Sequence, residues 1–361
     1  MNVYLIPPKS DENDYLANIE KGLESNGVNV LSKKNKNKKF APIECIFNAI
    51  LKRKYIVHFN WIENKVTVKG KRKYLNYIVI SVWLFLLKIF GTKIVWTMHN
   101  KLPHNLNNKA FVNHFLIKFL RKCNLVIIHC SESEKILRDE YGYNGKVLFV
   151  PHGNYCVDNE YPDFSEMSDL QFLYFGSISK YKNVPVLIES IKKVSNKFPD
   201  IKLNIFGRCK NDDLNNEIKN KVENCTYITY CNKFVSDEEL QKLINKCCAV
   251  ILPYDTESML NSGSAIYAIS KGRCVFIPEF GYIKDICSQE FIYTYNYESQ
   301  ENHIYNLSEK IEEVINESKS NKDYWKTKGE CAYKFAYDNL NWNNICKKIA
   351  DEYSLLYLGK E

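Results

Sequence analysis

Several common signatures are absent from this sequence, and each absence excludes a class of protein. The thirteen cysteines are odd in number and include no C-x-x-C pair, which argues against a disulfide framework and against a zinc knuckle. We therefore expect reduced core thiols in a cytoplasmic protein. The chain begins M-N-V-Y-L-I-P-P, which predicts a strand and lacks the charged region of a signal peptide.

A membrane-spanning segment is also missing. The apolar stretch Tyr77 to Phe90 is interrupted only by Ser81 and Lys88 and is shorter than the roughly 20 residues that cross a bilayer. Five basic residues precede it: Lys65, Lys69, Lys71, Arg72 and Lys73. The pattern fits a buried helix beside a solvated basic loop, and it also fits peripheral docking to an anionic membrane surface.

Length and composition indicate a two-domain globular protein. A chain of 361 residues exceeds what one core usually serves, and 45% hydrophobic with 25% charged residues is typical of soluble domains. The net charge of +8 arises from 50 basic and 42 acidic residues. This balance favours anionic partners but lacks the dense basic stripe of a nucleic-acid binder, so no nucleic acid is expected as a partner.

Short apolar strands alternate with helical patterns along both halves of the chain. This alternation predicts an α/β fold of two Rossmann-like domains with parallel sheets. The polar stretch 151–169 predicts a linker. We expect an N-terminal domain at 1–160, a C-terminal domain at 161–340 and a helix at 341–361 that packs back toward the N-terminal domain, with the active site between the domains.

The segment Leu170 to Ser190 combines the parts of an anion site. A predicted strand, Phe172 to Phe175, meets Gly176, and a Ser/Lys loop then leads into a helix. Glycine allows close approach to the backbone, a helix N-terminus offers unpaired N–H groups, and Lys180 and Lys182 add charge. The spacing is neither a Walker loop nor G-x-G-x-x-G. A phosphate-bearing ligand is expected.

These residues resemble the GT-B glycosyltransferases of bacterial cell-surface polysaccharide synthesis over essentially the whole chain. The motifs that carry the resemblance are F-G-S-I-S-K-Y-K-N-V at 175–184, F-G-R at 206–208, N-S-G-S-A-I-Y-A-I-S-K-G at 261–272, V-W-T-M-H-N-K-L-P-H at 95–104 and V-P-H-G-N at 150–154. The resemblance implies a C-terminal domain that binds a nucleotide-sugar and an N-terminal domain that binds the acceptor.

The resemblance also implies donor-binding residues. Lys182 matches the family lysine that binds the donor diphosphate, whereas Ser177 after Gly176 replaces the family arginine. Arg208 can supply the missing guanidinium, because arginine binds phosphate through two parallel hydrogen bonds. For both basic residues the alternative is an ordinary solvated surface charge.

The second donor segment departs from the family pattern. Its helix start comprises Asn261, Ser262, Gly263 and Ser264, which offer N–H and hydroxyl groups to a diphosphate or, alternatively, only cap the helix. Retaining relatives carry two glutamates here. This chain has Met259 and Tyr267 at those positions. Retention is in doubt, and an inverting mechanism stays open.

The candidate catalytic residues are His99, Glu63 and His104. His99 matches a family position near the donor sugar, and Glu63 or His104 is the candidate base for the acceptor hydroxyl. Either histidine can instead be a structural hydrogen-bonding residue. Asn100 is assigned to the acceptor side, and His152 with Gly153 to the hinge or cleft.

The sequence thus predicts a glycosyltransferase that uses a UDP- or GDP-linked sugar and a glycan or polyprenyl-diphosphate-linked acceptor. Because no D-x-D motif stands in a plausible site, we expect neither a metal nor another cofactor. The alternatives are a two-domain nucleotide-sugar epimerase and a noncatalytic scaffold that only binds nucleotide-sugar. We expect a cytoplasmic protein, with the inner face of the plasma membrane left open as a docking surface.

Overall fold

The computed structural model describes residues 1–8, 13–31, 41–51, 54–101, 108–157 and 160–359. The chain divides into two compact units. Unit 1 comprises Met1–Gly153, Ser258–Asn261 and Leu340–Glu361, and unit 2 comprises Asn154–Glu257 and Ser262–Asn339.

Unit 1 is built on a parallel sheet of six strands. The strands are β1 (Asn2–Ile6), β2 (Asn29–Val30), β3 (Ile56–Asn60), β4 (Lys93–Met98), β5 (Leu125–Ile128) and β6 (Lys146–Phe149), in the order β2-β1-β3-β4-β5-β6. The helices are α1 (Asp14–Ser25), α2 (Ala41–Ile50), α3 (Arg72–Ile89), α4 (Lys109–Leu120), α5 (Ser131–Asp139) and, from the end of the chain, α13 (Trp342–Leu358).

Helices cover both faces of this sheet, which explains why its central strands are apolar almost throughout. On one face, α1 and α13 pack together so closely that a Cβ on Gly22 would lie 2.5 Å from the Cys346 sulfur. On the other face, Phe59 of β3 contacts Trp83 of α3 edge-on, and Trp96 contacts Phe119. The C-terminal helix is therefore part of the unit 1 core.

Unit 2 repeats the design. Its strands are β7 (Ser168–Phe175), β8 (Lys202–Phe206), β9 (Ile228–Cys231), β10 (Cys247–Ile251), β11 (Cys274–Pro278) and β12 (Ile292–Tyr295), in the order β12-β11-β10-β7-β8-β9. Its helices are α6 (Val184–Ser195), α7 (Asp212–Val222), α8 (Asp237–Lys246), α9 (Gly263–Ser270), α10 (Gly281–Ile286), α11 (Gln300–Ser318) and α12 (Tyr324–Asn339).

The predicted fold class is confirmed: each half is a parallel α/β sheet. All thirteen cysteines are free thiols, and seven of them are buried as expected of core thiols, whereas Cys287 is exposed. Helix α2 is not indicated by the patterns considered above. The interpretation of Tyr77 to Phe90 as a buried helix holds for only one side of α3, because the opposite side is exposed. No helix among the described residues is long and apolar enough to cross a bilayer.

Unit 2 contains a fully buried arginine whose partners are carbonyl groups. The Arg273 guanidinium donates to the carbonyl oxygens of Asp163, Ile244, Asn245, Lys271 and Gly272 at 2.6 to 3.2 Å. It also lies 4.9 Å from the centroid of the Phe164 ring. These hydrogen bonds connect the 163–164 segment, the end of α8 and the turn before β11.

Replacing this arginine should destabilise unit 2. Arg273→Met leaves several buried carbonyl groups without donors, so we expect the free energy of unfolding to fall by at least about 3 kcal/mol, measured by urea denaturation. Arg208→Met is the matched control, because Arg208 is exposed and should change stability by less than about 0.5 kcal/mol. Equal effects of the two substitutions would contradict the structural role of Arg273.

Candidate functional site

Two glycines bring the loops after β7 and β8 into backbone contact. A Cβ on Gly207 would lie 1.8 Å from the carbonyl oxygen of Gly176, so no larger residue fits there. Gly176 itself has φ +112°, a conformation that side chains disfavour. Beyond the glycines, the Ile178 N–H donates to the Arg208 carbonyl at 3.0 Å. The carboxyl ends of two neighbouring strands thus form one surface, where parallel α/β sheets bind ligands.

Lys182 is a buried cation next to this surface. It ends the 3₁₀ turn Lys180–Lys182, and its side chain is 8% exposed. Its Nζ lies 3.8 Å from the centroid of the Tyr254 ring, a cation–π contact. Among the described residues, no carboxylate forms an ion pair with Lys182. A desolvated ammonium group that is balanced only by a ring quadrupole favours an anionic ligand.

Further polar groups near Lys182 have no partner among the described residues. These are the hydroxyl of the fully buried Tyr254 and the Oγ of Ser179. Helix α6 begins after Asn183, whose side chain does not cap it. Pro185 has no N–H, and the Val186 and Leu187 N–H groups donate to the Asn183 carbonyl at 3.0 and 3.2 Å, so the group that this helix start can offer to an anion is the Val184 N–H.

The α9 residues lie within unit 2 as well. Ser262 caps α9, with its Oγ accepting from the Ala265 N–H at 3.2 Å. The Ser264 Oγ is 3.5 Å from where a Cβ on Gly176 would be, so Ser264 borders the glycine loop. The Tyr267 ring packs against Phe175 and Tyr155, with ring centroids 5.4 Å apart in each pair. Ser264 and Tyr267 are thus brought to the β7 loop.

The other donor candidates differ in environment. Gly263 lies close to the Tyr155 hydroxyl, 3.4 Å from where its Cβ would be. Ser177 and Arg208 are exposed, and the Ser177 carbonyl accepts from the Tyr174 hydroxyl at 3.1 Å. Asn261 belongs to the short segment Ser258–Asn261 of unit 1. Arg208 is therefore placed on the loop next to Gly207 without a fixed position for its guanidinium.

Unit 1 holds four histidines in one buried aromatic cluster. His99 stacks on Trp61 at 3.9 Å between ring centroids and contacts Tyr15 edge-on at 4.8 Å. His129 lies 5.4 Å from His99 and 6.1 Å from His152. His58 is the fourth member, through its electrostatic interaction with His99 and His129.

The hydrogen bonds of the cluster fix most of these rings. The His129 Nδ1–H donates to the Val150 carbonyl at 2.8 Å, so its Nε2 accepts from the Tyr15 hydroxyl at 3.2 Å. His58 bonds the Tyr353 hydroxyl at 2.7 Å and the Thr97 hydroxyl at 2.6 Å. His99 Nε2 lies 2.9 Å from the Asn60 side-chain oxygen. These hydrogen bonds involve β3, β4, α1, α13 and the residues that directly follow β5 and β6.

Burial keeps all four imidazoles neutral. It lowers the pKa of His58 and of His129 to about 3 and that of His152 to about 4, and it holds the pKa of His99 well below its usual range. Mutual repulsion between the rings adds to this effect for His58, His99 and His129. His99 can therefore act as a neutral hydrogen-bonding group at neutral pH.

Glu63 lies in the 3₁₀ turn Ile62–Lys65 after β3 and is buried. Its Oε2 has no hydrogen-bond partner among the described residues. Burial raises the pKa of Glu63 from its ordinary 4.5 to about 7. A carboxyl group with this pKa can exchange a proton near neutral pH, which is the property required of a general base.

The remaining acceptor-side candidates lie in different environments. His152 Nδ1–H donates to the Gly153 carbonyl at 2.7 Å, and a Cβ on Gly153 would overlap the Trp342 indole at 2.1 Å. Asn100 is half-buried. His104 lies outside the described residues. The pair His152 and Gly153 is thus packed against the first residue of α13.

Sequence reasoning missed His58 and His129. A usable signal was present: His99 follows β4 directly and His129 follows β5 directly, while Met98 pairs with Ile128 in the sheet register. Equivalent positions on neighbouring parallel strands bring side chains together. The described residues offer no group of three or more His, Cys, Asp or Glu side chains that could hold a metal ion.

The neutral histidines should make unit 1 sensitive to acid. Their pKa values are lowered by folding, so the stability they contribute is complete above pH 6.5 and is lost as pH falls toward 4. The free energy of unfolding of the native protein should fall between pH 6.5 and 4. We expect His152→Gln to make this fall smaller by up to about 3 kcal/mol. The exposed His114→Gln should leave the pH profile of urea unfolding unchanged; identical profiles for the two variants would contradict the assignment.

Glu63 should have the opposite pH dependence. Because folding raises its pKa, its contribution is complete below pH 4.5 and is lost as pH rises through 7. Between pH 4.5 and 8, the free energy of unfolding of Glu63→Gln should therefore rise by about 3 kcal/mol relative to that of the native protein. Urea unfolding at both pH values measures this gain. Asp139→Asn, an exposed change in the same unit, should show no such gain.

Comparison with known proteins finds relatives of the second half of the chain. The family described as "Glycosyl transferases group 1" matches residues 162–329. A GDP-mannose:glycolipid 4-beta-D-mannosyltransferase of Xanthomonas campestris pv. campestris is 24% identical over 231 residues. That alignment covers 64% of this chain and 63% of the relative, so it spans less than two thirds of the curated protein.

Solved structures share the fold over nearly the whole chain. A sucrose-phosphate synthase from Thermosynechococcus elongatus superposes with a TM-score of 0.72 at 14% identity, covering 99% of this chain and 100% of that one. A glycosyltransferase from Rickettsia africae gives 0.66 at 14% identity, with 98% of each chain covered. Anabaena HepE, solved in complex with UDP and glucose, gives 0.65 at 11% identity over 98% and 99% of the two chains. Residues 162–329 are therefore similar to the glycosyl transferases group 1 family, and the whole chain shares the two-sheet fold of these solved structures.

Proposed function

We propose that this protein is a glycosyltransferase that moves a sugar from a nucleoside diphosphate-sugar to a glycan or polyprenyl-diphosphate-linked acceptor in surface polysaccharide synthesis. The observation that carries the proposal is the buried Lys182 ammonium beside the glycine loops of unit 2. The match of residues 162–329 to the glycosyl transferases group 1 family supports the same assignment. Unit 2 is the donor-binding unit in this proposal, and unit 1 binds the acceptor.

Lys182 and α6 act on the leaving group. As the bond between the sugar and the diphosphate breaks, negative charge grows on the diphosphate oxygens. The Lys182 ammonium group and the Val184 N–H at the start of α6 stabilise that charge without rearranging at the moment of reaction. Gly176 and Gly207 allow the diphosphate to approach the backbone because neither has a side chain.

Glu63 and His99 act on the other side of the reaction. An inverting transfer needs a base for the acceptor hydroxyl, and Glu63 has a pKa of about 7, matched to that task. His99, kept neutral by burial, orients the donor sugar through a hydrogen bond. Met259 and Tyr267 stand where retaining relatives carry glutamates, which supports the inverting course. His104 remains a second candidate base.

The donor is proposed to be UDP- or GDP-linked. The Xanthomonas relative is named for GDP-mannose, and HepE was solved with UDP and glucose. Lys182 supplies the positive charge that a divalent ion would otherwise provide, so we propose that transfer does not require a metal. Because a polyprenyl-linked acceptor is membrane-bound, we propose that the protein works in the cytoplasm at the inner face of the plasma membrane.

Lys182→Ala should abolish stabilisation by nucleotide. The native protein should melt at a higher temperature with saturating UDP or GDP, with or without EDTA. In Lys182→Ala this shift should disappear, and sugar transfer should slow about 100-fold or more because the leaving diphosphate loses its charge partner. Differential scanning fluorimetry and a radiolabelled transfer assay provide the two measurements.

Lys202→Ala is the control, since Lys202 is an exposed lysine of the same unit that lies at the amino end of β8, whereas the candidate site lies at the carboxyl ends of the strands. It should retain the shift and most of the transfer rate. An undiminished shift in Lys182→Ala would contradict the proposed donor site. A nucleotide shift without transfer to any acceptor would favour a binding scaffold, and conversion of the free nucleotide-sugar without acceptor would favour an epimerase.

A further inference from the structure

The outward side of α3 is an exposed apolar surface. Ile80, Trp83, Leu84 and Leu87 face the core of unit 1. The opposite side is also apolar, and its large residues are 50 to 60% exposed: Tyr74, Leu75, Ile78, Val79, Val82, Phe85 and Ile89. A helix that is hydrophobic on all sides is ordinarily buried on all sides. The outer side of α3 is therefore exposed, although the helix has the composition of a buried helix.

Helix α2 extends this surface. It packs against α3, and Ile43, Phe47, Ile50 and Leu51 are 47 to 63% exposed at the spacing of one helical side. We call the exposed residues of α2 and α3, with Leu51 and Phe90, the α2–α3 face. Soluble monomers rarely expose an apolar patch that extends over two packed helices, and such patches mark interaction sites.

The sequence that contains α2 and α3 carries charge of almost one sign. Between Ser25 and Ser131 the sequence contains 20 Lys and Arg but only two acidic residues, Glu44 and Glu63. Glu63 is buried, and Glu44 accepts a hydrogen bond from the Tyr4 hydroxyl at 3.0 Å. This segment carries +18 (20 − 2), so the rest of the +8 chain carries −10. The chain's positive charge is therefore concentrated in the part of the sequence that contains α2 and α3.

Exposed basic side chains border the apolar residues. Lys65, Lys69, Lys71 and Arg72 are exposed at the start of α3 and form no ion pair among the described residues. A cavity of about 230 Å³ opens beside them, and Lys69, Gly70, Lys73 and Asn108 contribute to its lining. Lysine residues that line a small cavity next to an apolar face match a phosphate headgroup above its acyl chains.

We propose that the α2–α3 face docks onto an anionic phospholipid bilayer, with α3 lying in the plane of the interface. The exposed apolar side chains enter the boundary of the acyl chains, and Lys65, Lys69, Lys71 and Arg72 contact lipid phosphates. The concentrated positive charge selects a lipid surface over a second copy of this chain, because two such faces would repel each other. This inference extends the proposed function by naming the surface that reaches a lipid-linked acceptor, and it rests on that function only for the acceptor.

Vesicle co-sedimentation tests the proposal with the full chain. The native protein should bind vesicles of phosphatidylglycerol and phosphatidylcholine at least tenfold more tightly than vesicles of phosphatidylcholine alone, and added salt should weaken this binding. Ile78→Ser/Phe85→Ser should reduce binding to the anionic vesicles at least tenfold. Lys69→Ala/Lys71→Ala/Arg72→Ala should reduce it similarly without removing an apolar residue. Phe234→Ser/Tyr305→Ser, two exposed apolar residues of unit 2, is the control that should bind normally.

Two results would overturn the proposal. One is equal binding of the native protein to anionic and neutral vesicles, or native-like binding by both α3 variants. The other is a native dimer in sedimentation velocity that Ile78→Ser/Phe85→Ser dissociates, without vesicle binding by either form, which would assign the face to a second copy. The rise in melting temperature with UDP or GDP, measured on the same variants, separates the two hypotheses. Vesicle binding without any such rise would contradict the proposed transferase but would leave the docking surface supported.

Discussion

The backbone contact between Gly176 and Gly207 is the constraint on which the candidate donor site depends. It holds the loops after β7 and β8 together so tightly that a single methyl group at Gly207 would overlap the Gly176 carbonyl. The chain that leaves this contact turns through Lys180–Lys182 and enters α6. The position of Lys182 on the Tyr254 ring therefore follows from sheet geometry and two glycines rather than from an ion pair.

In unit 1, burial controls the chemistry of the candidate groups in two opposite ways. The same loss of water that keeps His58, His99 and His129 uncharged keeps Glu63 partly protonated near neutral pH. Packing of α13 closes this environment, since Tyr353 bonds His58 and Trp342 contacts both Tyr15 and His152. The C-terminal helix thus contributes to the electrostatics of residues far from it in sequence.

The sequence predicts the fold well and the candidate site in part. The predicted strand Phe172 to Phe175 lies within β7 and ends at the same residue, because parallel strands buried on both faces must be apolar. Gly176 and Lys182 follow from local strand–loop–helix chemistry. The contact of Lys182 with Tyr254, 72 residues later, and the gathering of four histidines depend on which strands become neighbours, and periodicity does not give that order. The exposure of one side of α3 could not be predicted from the sequence either, because a helix that is apolar on all sides has the same pattern whether it is buried or exposed.

The donor site, the acceptor-side residues and the α2–α3 face lie in different parts of the chain. Substitutions can therefore test each of them alone. The donor site is central, and a crystal structure with UDP or GDP tests it most directly. The diphosphate should lie within hydrogen-bonding distance of Lys182 Nζ and next to the start of α6, with its backbone side against Gly176 and Gly207. The proposed donor site would be contradicted if the diphosphate bound elsewhere in unit 2 while Lys182 Nζ still contacted the Tyr254 ring and no ligand.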